Sequence, residues 1–153
     1  MKILVVDDLQ TVRRVIVNLL FSIGFTDIHQ AADGKAALAK IESGAHFDLL
    51  ITDWNMPVMT GMELVKAVRS QPQLQQIKIL MITAEAKREG IVMAAQAGIN
   101  GYILKPFSAA ILKEKIEKIF GASATKKAIP EQTVVVGKTD TVPYKKYDFA
   151  QHA

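Results

Sequence analysis

The chain of 153 residues contains no cysteine. Disulfides, thiolate nucleophiles and cysteine metal sites are thereby excluded, and the absence suits a reducing compartment. Long apolar runs are missing as well. The amino-terminal stretch is apolar only from Ile3 to Val6 before two acids, too short for a secretory core, and nothing approaches the ~20 apolar residues of a membrane span. A dense basic stripe is also lacking. The formal charge is +4, but five lysines against three acids after residue 120 carry +2 of it, leaving a body close to neutral. Neutralisation of several backbone phosphates is not provided for, so nucleic acid is not an expected partner. No repeat of 20 to 50 residues is evident, which removes solenoids. These exclusions point to a single cytoplasmic globular domain, half of it apolar and 22% charged, with no membrane partner.

What is present is a strict alternation. Lys2 to Val6 reads as a buried strand followed by Asp7 and Asp8, and Val12, Val15, Ile16, Leu19, Leu20 and Ile23 then recur at helical spacing before Gly24. Asp27 to Ala31 reads as a second strand. Asp33 and Gly34 introduce a short helix with Ala37, Leu38 and Ile41 inward. The central strand, Phe47 to Ile51, is an apolar run ending in Asp53 and stopped by Pro57. Thr60 and Glu63 have capping-box spacing ahead of Leu64, Val65 and Val68. Ile77 to Ile82 makes a fourth strand ending at Thr83, a helix is expected from about Lys87 to Ala97, and Gly98 stops it. Tyr102 to Leu104 forms a fifth strand before Lys105 and Pro106, and Ser108 caps a last helix carrying Ile111, Leu112, Ile116, Ile119 and Phe120. Alternation of apolar strands and helices implies an α/β doubly wound parallel sheet over residues 1–120. Residues 121–153 form a carboxyl-terminal tail of small, polar and basic residues, with one β-prone patch at Thr133 to Val136. Its readings are a flexible segment, one held by another chain, or an appended extension.

In a parallel sheet the chemistry sits beyond the carboxyl ends of the strands. Asp7, Asp8, Asp53, Thr83 and Lys105 all occupy such ends and are expected in one cleft. Each alone has a plainer role: Asp53 can cap a turn, Thr83 a helix, Lys105 can be a surface lysine and Tyr102 a core aromatic. Three carboxylates within ~4 Å of one another repel by several kcal/mol per pair at an effective dielectric near 20, so the set requires a cation. An oxygen-only site suits Mg²⁺. With Lys105 and Thr83 added, these are the parts for forming an aspartyl phosphate on Asp53.

Residues 1–120 resemble the response-regulator receiver family, and within it the single-domain chemotaxis regulators. The resemblance lies in LVVDD at 4–8, NLLFSIGF at 18–25, DWNMPVMTGMEL at 53–64, MITAEAKREG at 81–90, AAQAGINGYILKPF at 94–107 and EKIEKIF at 114–120. It implies a flavodoxin-like (βα)5 fold with strand order 2-1-3-4-5, and Asp53 as acceptor of a phosphoryl group from a histidine kinase. Asp8 would then hold Mg²⁺ directly, Asp7 mainly through water, with Asp53 and the Asn55 carbonyl completing the protein ligands. Thr83 and Lys105 would bind the phosphoryl oxygens, Lys105 assisting the transfer, and Tyr102 would be an aromatic switch. The changed face, made by the fourth helix, fifth strand and fifth helix, would meet the flagellar motor switch. A phosphatase is a further implied partner. The resemblance thus implies a monomeric phosphoacceptor that assists its own chemistry rather than an enzyme, with any association left to the tail.

Three other classes fit less well. An aspartyl-phosphate phosphatase of the haloacid dehalogenase type carries D-x-D after its first strand, whereas Asp7 and Asp8 are adjacent. The same two acids would repel the phosphate of a flavin. A DNA-binding regulator needs a second domain, and the residues after Phe120 carry no two-helix pattern. A receiver serving another phosphorelay remains open beside the chemotaxis reading.

Overall fold

In a computed structural model, the described residues are 1–85 and 87–121. The alternation is realised as β1 (Lys2–Val6), α1 (Gln10–Ile23), β2 (Asp27–Ala31), α2 (Gly34–Glu42), β3 (Leu49–Thr52), α3 (Gly61–Arg69), a 3₁₀ turn at Pro72–Leu74, β4 (Lys78–Thr83), α4 (Arg88–Ala97), β5 (Gly101–Leu104) and α5 (Ala109–Phe120). The expectations for the tail, including the patch at Thr133 to Val136, lie outside the described residues.

The five strands pair in parallel in the order β2-β1-β3-β4-β5. Because side chains alternate across a strand, each strand feeds two cores. Leu4, Val6, Leu50, Ile79 and Met81 face Ala37, Ile41, Leu64, Val65, Val68 and Ala94 of α2, α3 and α4. Ile3, Val5, Leu49, Ile51, Leu80, Ile82 and Ile103 face Ile16, Leu20, Ile23, Ile111, Leu112 and Ile116 of α1 and α5. Burial of each such aliphatic side chain stabilises by about 1.5–3 kcal/mol, which is why the inner strands β1, β3 and β4 are apolar almost throughout, whereas the edge strand β2 carries Asp27, His29 and Gln30. Among the described residues no helix is long and apolar enough to cross a membrane.

Local chemistry sets the helix boundaries. Asp33 accepts from the Ala36 N–H at 2.7 Å, Ser108 from the Ile111 N–H at 3.3 Å, and Thr60 and Glu63 close the expected capping box with two bonds of 3.1 Å. Gly24 and Gly98 end α1 and α4 with φ of 120° and 113°, a region costly for residues bearing a Cβ. One expectation fails: Val15, placed in the apolar stripe, is 53% exposed. The stripe of α1 is centred on Ile16 and Leu20, so Val15 is carried onto the flank while Val17 is buried in its stead.

The far end of the α3–α4 layer is held by one side chain. Arg69 donates from Nε to the Gly98 carbonyl at 2.9 Å, from Nη2 to Asn100 Oδ1 at 2.9 Å and from Nη1 to the Gln75 carbonyl at 3.3 Å. Asn100 Oδ1 also accepts from the Ile79 N–H at 2.8 Å, so α3, the end of α4 and the β4–β5 edge share one node. Burial holds the Arg69 guanidinium below its ordinary pKa.

Candidate phosphoacceptor and metal site

The register of the sheet decides which side chains meet. Val6 lies opposite both Ala31 and Thr52, so β1 and β3 end level with each other and deliver Asp7, Asp8 and Asp53 to one point. The Asp53 N–H continues the ladder to the Val6 carbonyl at 3.1 Å, and the Lys105 N–H does the same to the Thr83 carbonyl at 2.9 Å. The peptide between Lys105 and Pro106 is cis.

Asp7, Asp8 and Asp53 each present a carboxylate oxygen within 4.8 Å of the others. Their environments differ. Asp7 is 1% exposed; its Oδ1 accepts from the Leu9 N–H at 2.9 Å and its Oδ2 faces Lys105 Nζ at 3.3 Å. Asp53 is arranged alike, with Oδ1 accepting from the Trp54 N–H at 2.7 Å and Oδ2 facing the same ammonium at 3.2 Å. Asp8 is exposed and makes no hydrogen bond or ion pair among the described residues. One ammonium therefore stands among three acids and pairs with two of them. A formal charge of −2 is left at a mouth lined by carboxylate oxygens, the donor chemistry of a hard divalent cation such as Mg²⁺. Asn55, the remaining expected ligand, stands exposed two residues after Asp53.

The surrounding backbone is tightly constrained. Gly61 donates its N–H to the Trp54 carbonyl at 2.7 Å, and a Cβ there would strike the Asp53 carbonyl, so the loop after β3 folds back on itself only if residue 61 is glycine. Within that loop Val58 adopts φ of 71°, an uncommon conformation for a β-branched residue. Buried Thr52 donates to the Asp53 carbonyl at 2.8 Å. On the other side, Arg13 Nη1 donates to the Asp7 carbonyl at 2.7 Å while its Nε reaches Gln30 Oε1 at 3.2 Å, tying α1 to the acidic turn.

Thr83 is fully buried, and its hydroxyl accepts from the Glu85 N–H at 3.1 Å. It stands at the level of Leu104, next to Lys105, on the cleft side of the sheet. Tyr102 is turned inward at 8% exposed, and its hydroxyl donates to the Glu85 carbonyl. Burial, followed by the nearby Glu85 carboxylate, pushes the Tyr102 phenol above its ordinary pKa. Glu85 thus joins Thr83 to Tyr102 through its backbone. No residue-type signal could have singled it out, because the acceptor is a peptide carbonyl; Arg13, Thr52 and Gly61 were also missed, although a glycine directly after a helix cap was a usable hint. Met56 and Met62 belong to the core beside the site, and Met59 packs partly buried against the same cluster. Trp54 is partly exposed beside Asp53. His29 meets Asp27 at 2.7 Å and the edge of Phe47, away from the acids.

Comparison with known proteins agrees with this geometry. Residues 3–117 match the family model described as the response regulator receiver domain. The chain is similar to the chemotaxis protein CheY of Pseudomonas aeruginosa, 59% identical over 120 residues that cover 78% of this chain and 96% of the relative. It is 56% identical to the chemotaxis protein CheY-3 of Vibrio cholerae, covering 78% and 92%. Among solved structures, CheY4 of Vibrio cholerae superposes with a TM-score of 0.71 at 41% identity, covering 77% of this chain and 97% of that one. The receiver domain of a Pseudomonas aeruginosa sensor histidine kinase, solved with a magnesium ion coordinated in its active-site cleft, gives a TM-score of 0.71 at 30% identity over 78% and 97%. With the strand order, the convergent acids and the match over most of its length together, the chain belongs to the response regulator receiver domain family, in its CheY-like branch.

Proposed function

We propose that the chain is a phosphorylation-activated response regulator of a two-component system, accepting a phosphoryl group on Asp53 from a histidine kinase and signalling to the flagellar motor switch. The observation that carries this reading is the arrangement of Lys105 between Asp53 and Asp7, 3.2 Å and 3.3 Å away, beside an acid pair that demands a cation. Chemotaxis as the setting is supported by the two CheY relatives, both named as chemotaxis proteins.

In the transfer, a bond forms between an Asp53 carboxylate oxygen and phosphorus as the bond from phosphorus to the donor imidazole nitrogen breaks, and the imidazole leaves with its electron pair and takes up a proton. Lys105 balances negative charge on the moving phosphoryl oxygens, and the Thr83 hydroxyl, released from Glu85, donates to another of them. Asp8, Asp7, Asp53 and the Asn55 carbonyl would hold Mg²⁺, which supplies further neutralisation of phosphoryl charge when bound. Tyr102 reports the state of Thr83 through Glu85 to the face formed by α4, β5 and α5. The phosphoryl group adds a charge of about −1.5 to −2, enough to redirect both Lys105 and Thr83.

Mass spectrometry after incubation with acetyl phosphate and Mg²⁺ tests the acceptor. A single labile adduct on the Asp53 peptide is expected, absent from Asp53→Asn; an adduct that persists in that variant overturns the assignment. The output is tested by comparing phosphorylated wild type with phosphorylated Thr83→Ala for binding to a motor-switch peptide. Weaker binding by the variant is expected, and equal binding removes Thr83 from the relay.

A further inference from the structure

Glycine has the poorest helix propensity of any residue but proline, and α4 carries Gly90 as its third residue while burying only Ala94. So weakly anchored a helix has little reason to discard helix propensity. The compensation is contact. A Cβ on Gly90 would stand 3.2 Å from Trp54 Cη2, 3.3 Å from Trp54 Cζ3 and 3.3 Å from Glu85 Cγ, closer than carbon atoms pack at rest. The bare backbone lets the first turn of α4 lie on the indole and on the Glu85 stem together.

Those two neighbours are the termini of the site. The Trp54 N–H holds Asp53 Oδ1 at 2.7 Å. Glu85 holds the Thr83 hydroxyl through its N–H and the Tyr102 hydroxyl through its carbonyl, and its Oε1 accepts from the Lys87 N–H at 2.9 Å immediately before α4. We propose that Gly90 is a positioning residue: by carrying no side chain it seats α4 directly on Trp54 and Glu85, so that a displacement of the loop after Asp53 reaches α4 through the indole. The indole contact runs beside the Thr83–Tyr102 connection, which the Glu85 contact adjoins. Its role in transmission rests on the receiver reading given above.

Trp54 is the single tryptophan, which makes the seat directly observable. In metal-free protein without phosphodonor, Gly90→Ala should shift the Trp54 emission maximum and raise its quenching by acrylamide; emission and quenching identical to wild type would overturn the seat. Transmission is read by hydrogen exchange of the α4 amides before and after addition of beryllofluoride with Mg²⁺, a stable mimic of the acyl phosphate. The change in protection seen in wild type should fall by about fivefold or more in Gly90→Ala, the lower end of ordinary coupling between sites. Placing the shorter ring of Trp54→Phe in the Gly90→Ala background should restore it. A full response in Gly90→Ala, or a loss that Trp54→Phe leaves unrepaired, would refute transmission through this contact, the second result assigning the loss to helix propensity alone. Failure of the receiver reading shows separately, as absence of an Asp53 adduct in wild type, while the emission comparison uses neither metal nor phosphodonor.

Discussion

Among individual residues, the three acids behave as unequal members of one cluster. Asp7 and Asp53 each give one oxygen to a backbone N–H and one to Lys105, whereas Asp8 contributes charge without a partner among the described residues. Removing that charge relieves repulsion. Asp8→Asn should therefore stabilise the metal-free protein by about 0.5–1 kcal/mol, the scale of interactions between partly exposed charges, and raise Tm by a few degrees in chelator. Mg²⁺ should raise the Tm of wild type and leave that of the variant nearly unchanged. Thermal scans with and without Mg²⁺ check both halves, and a less stable Asp8→Asn in chelator would show that the carboxylate has a structural partner. Asp7, Asp8 and Asp53 could be singled out from residue order because a carboxylate after an apolar strand is a visible anomaly. Glu85 could not, since a backbone carbonyl looks the same in every residue.

Among elements, α3 shows how a cap and a close approach differ in consequence although they are neighbours in the chain. Thr60 closes the capping box with Glu63, and its loss in Thr60→Ala should cost about 1 kcal/mol while leaving Asp53 labelling intact. Gly61→Ala should do more. Its Cβ would displace the Asp53 carbonyl, so stability and the rate of Asp53 labelling should fall together. Denaturant melts combined with acetyl phosphate labelling separate the two variants; equal labelling rates in both would mean that the loop after β3 can relax without moving Asp53. The capping box was legible as T-x-x-E spacing. The collision at Gly61 was not, because it depends on the return of the loop across β3, a tertiary fact. Val15 of α1 fails for a related reason: helical spacing marks an apolar arc, but the packing partner chooses which part of that arc is covered.

On the scale of the whole molecule, the buried members of both apolar clusters among the described residues lie in the β1–α5 body, from Ile3 to Ile116. A chain ending at Gly121 should therefore fold cooperatively and accept label on Asp53. Thermal unfolding and acetyl phosphate labelling of that truncated chain test this, and loss of either would make residues 122–153 integral to the domain. Residue order alone was enough for the alternation of strands and helices, the helix stops at Gly24 and Gly98, and the gathering of acids at strand ends, because these follow from local periodicity, backbone restriction and the geometry of parallel sheets. Strand order came from resemblance and was then found in the sheet. Only tertiary structure decided that Lys105 stands between Asp7 and Asp53, that Tyr102 is turned inward onto Glu85, and that α4 rests on Trp54 at Gly90. Each of these joins residues far apart in the chain, where rotamer choice and helix docking set the contact and no local rule of spacing or propensity reaches.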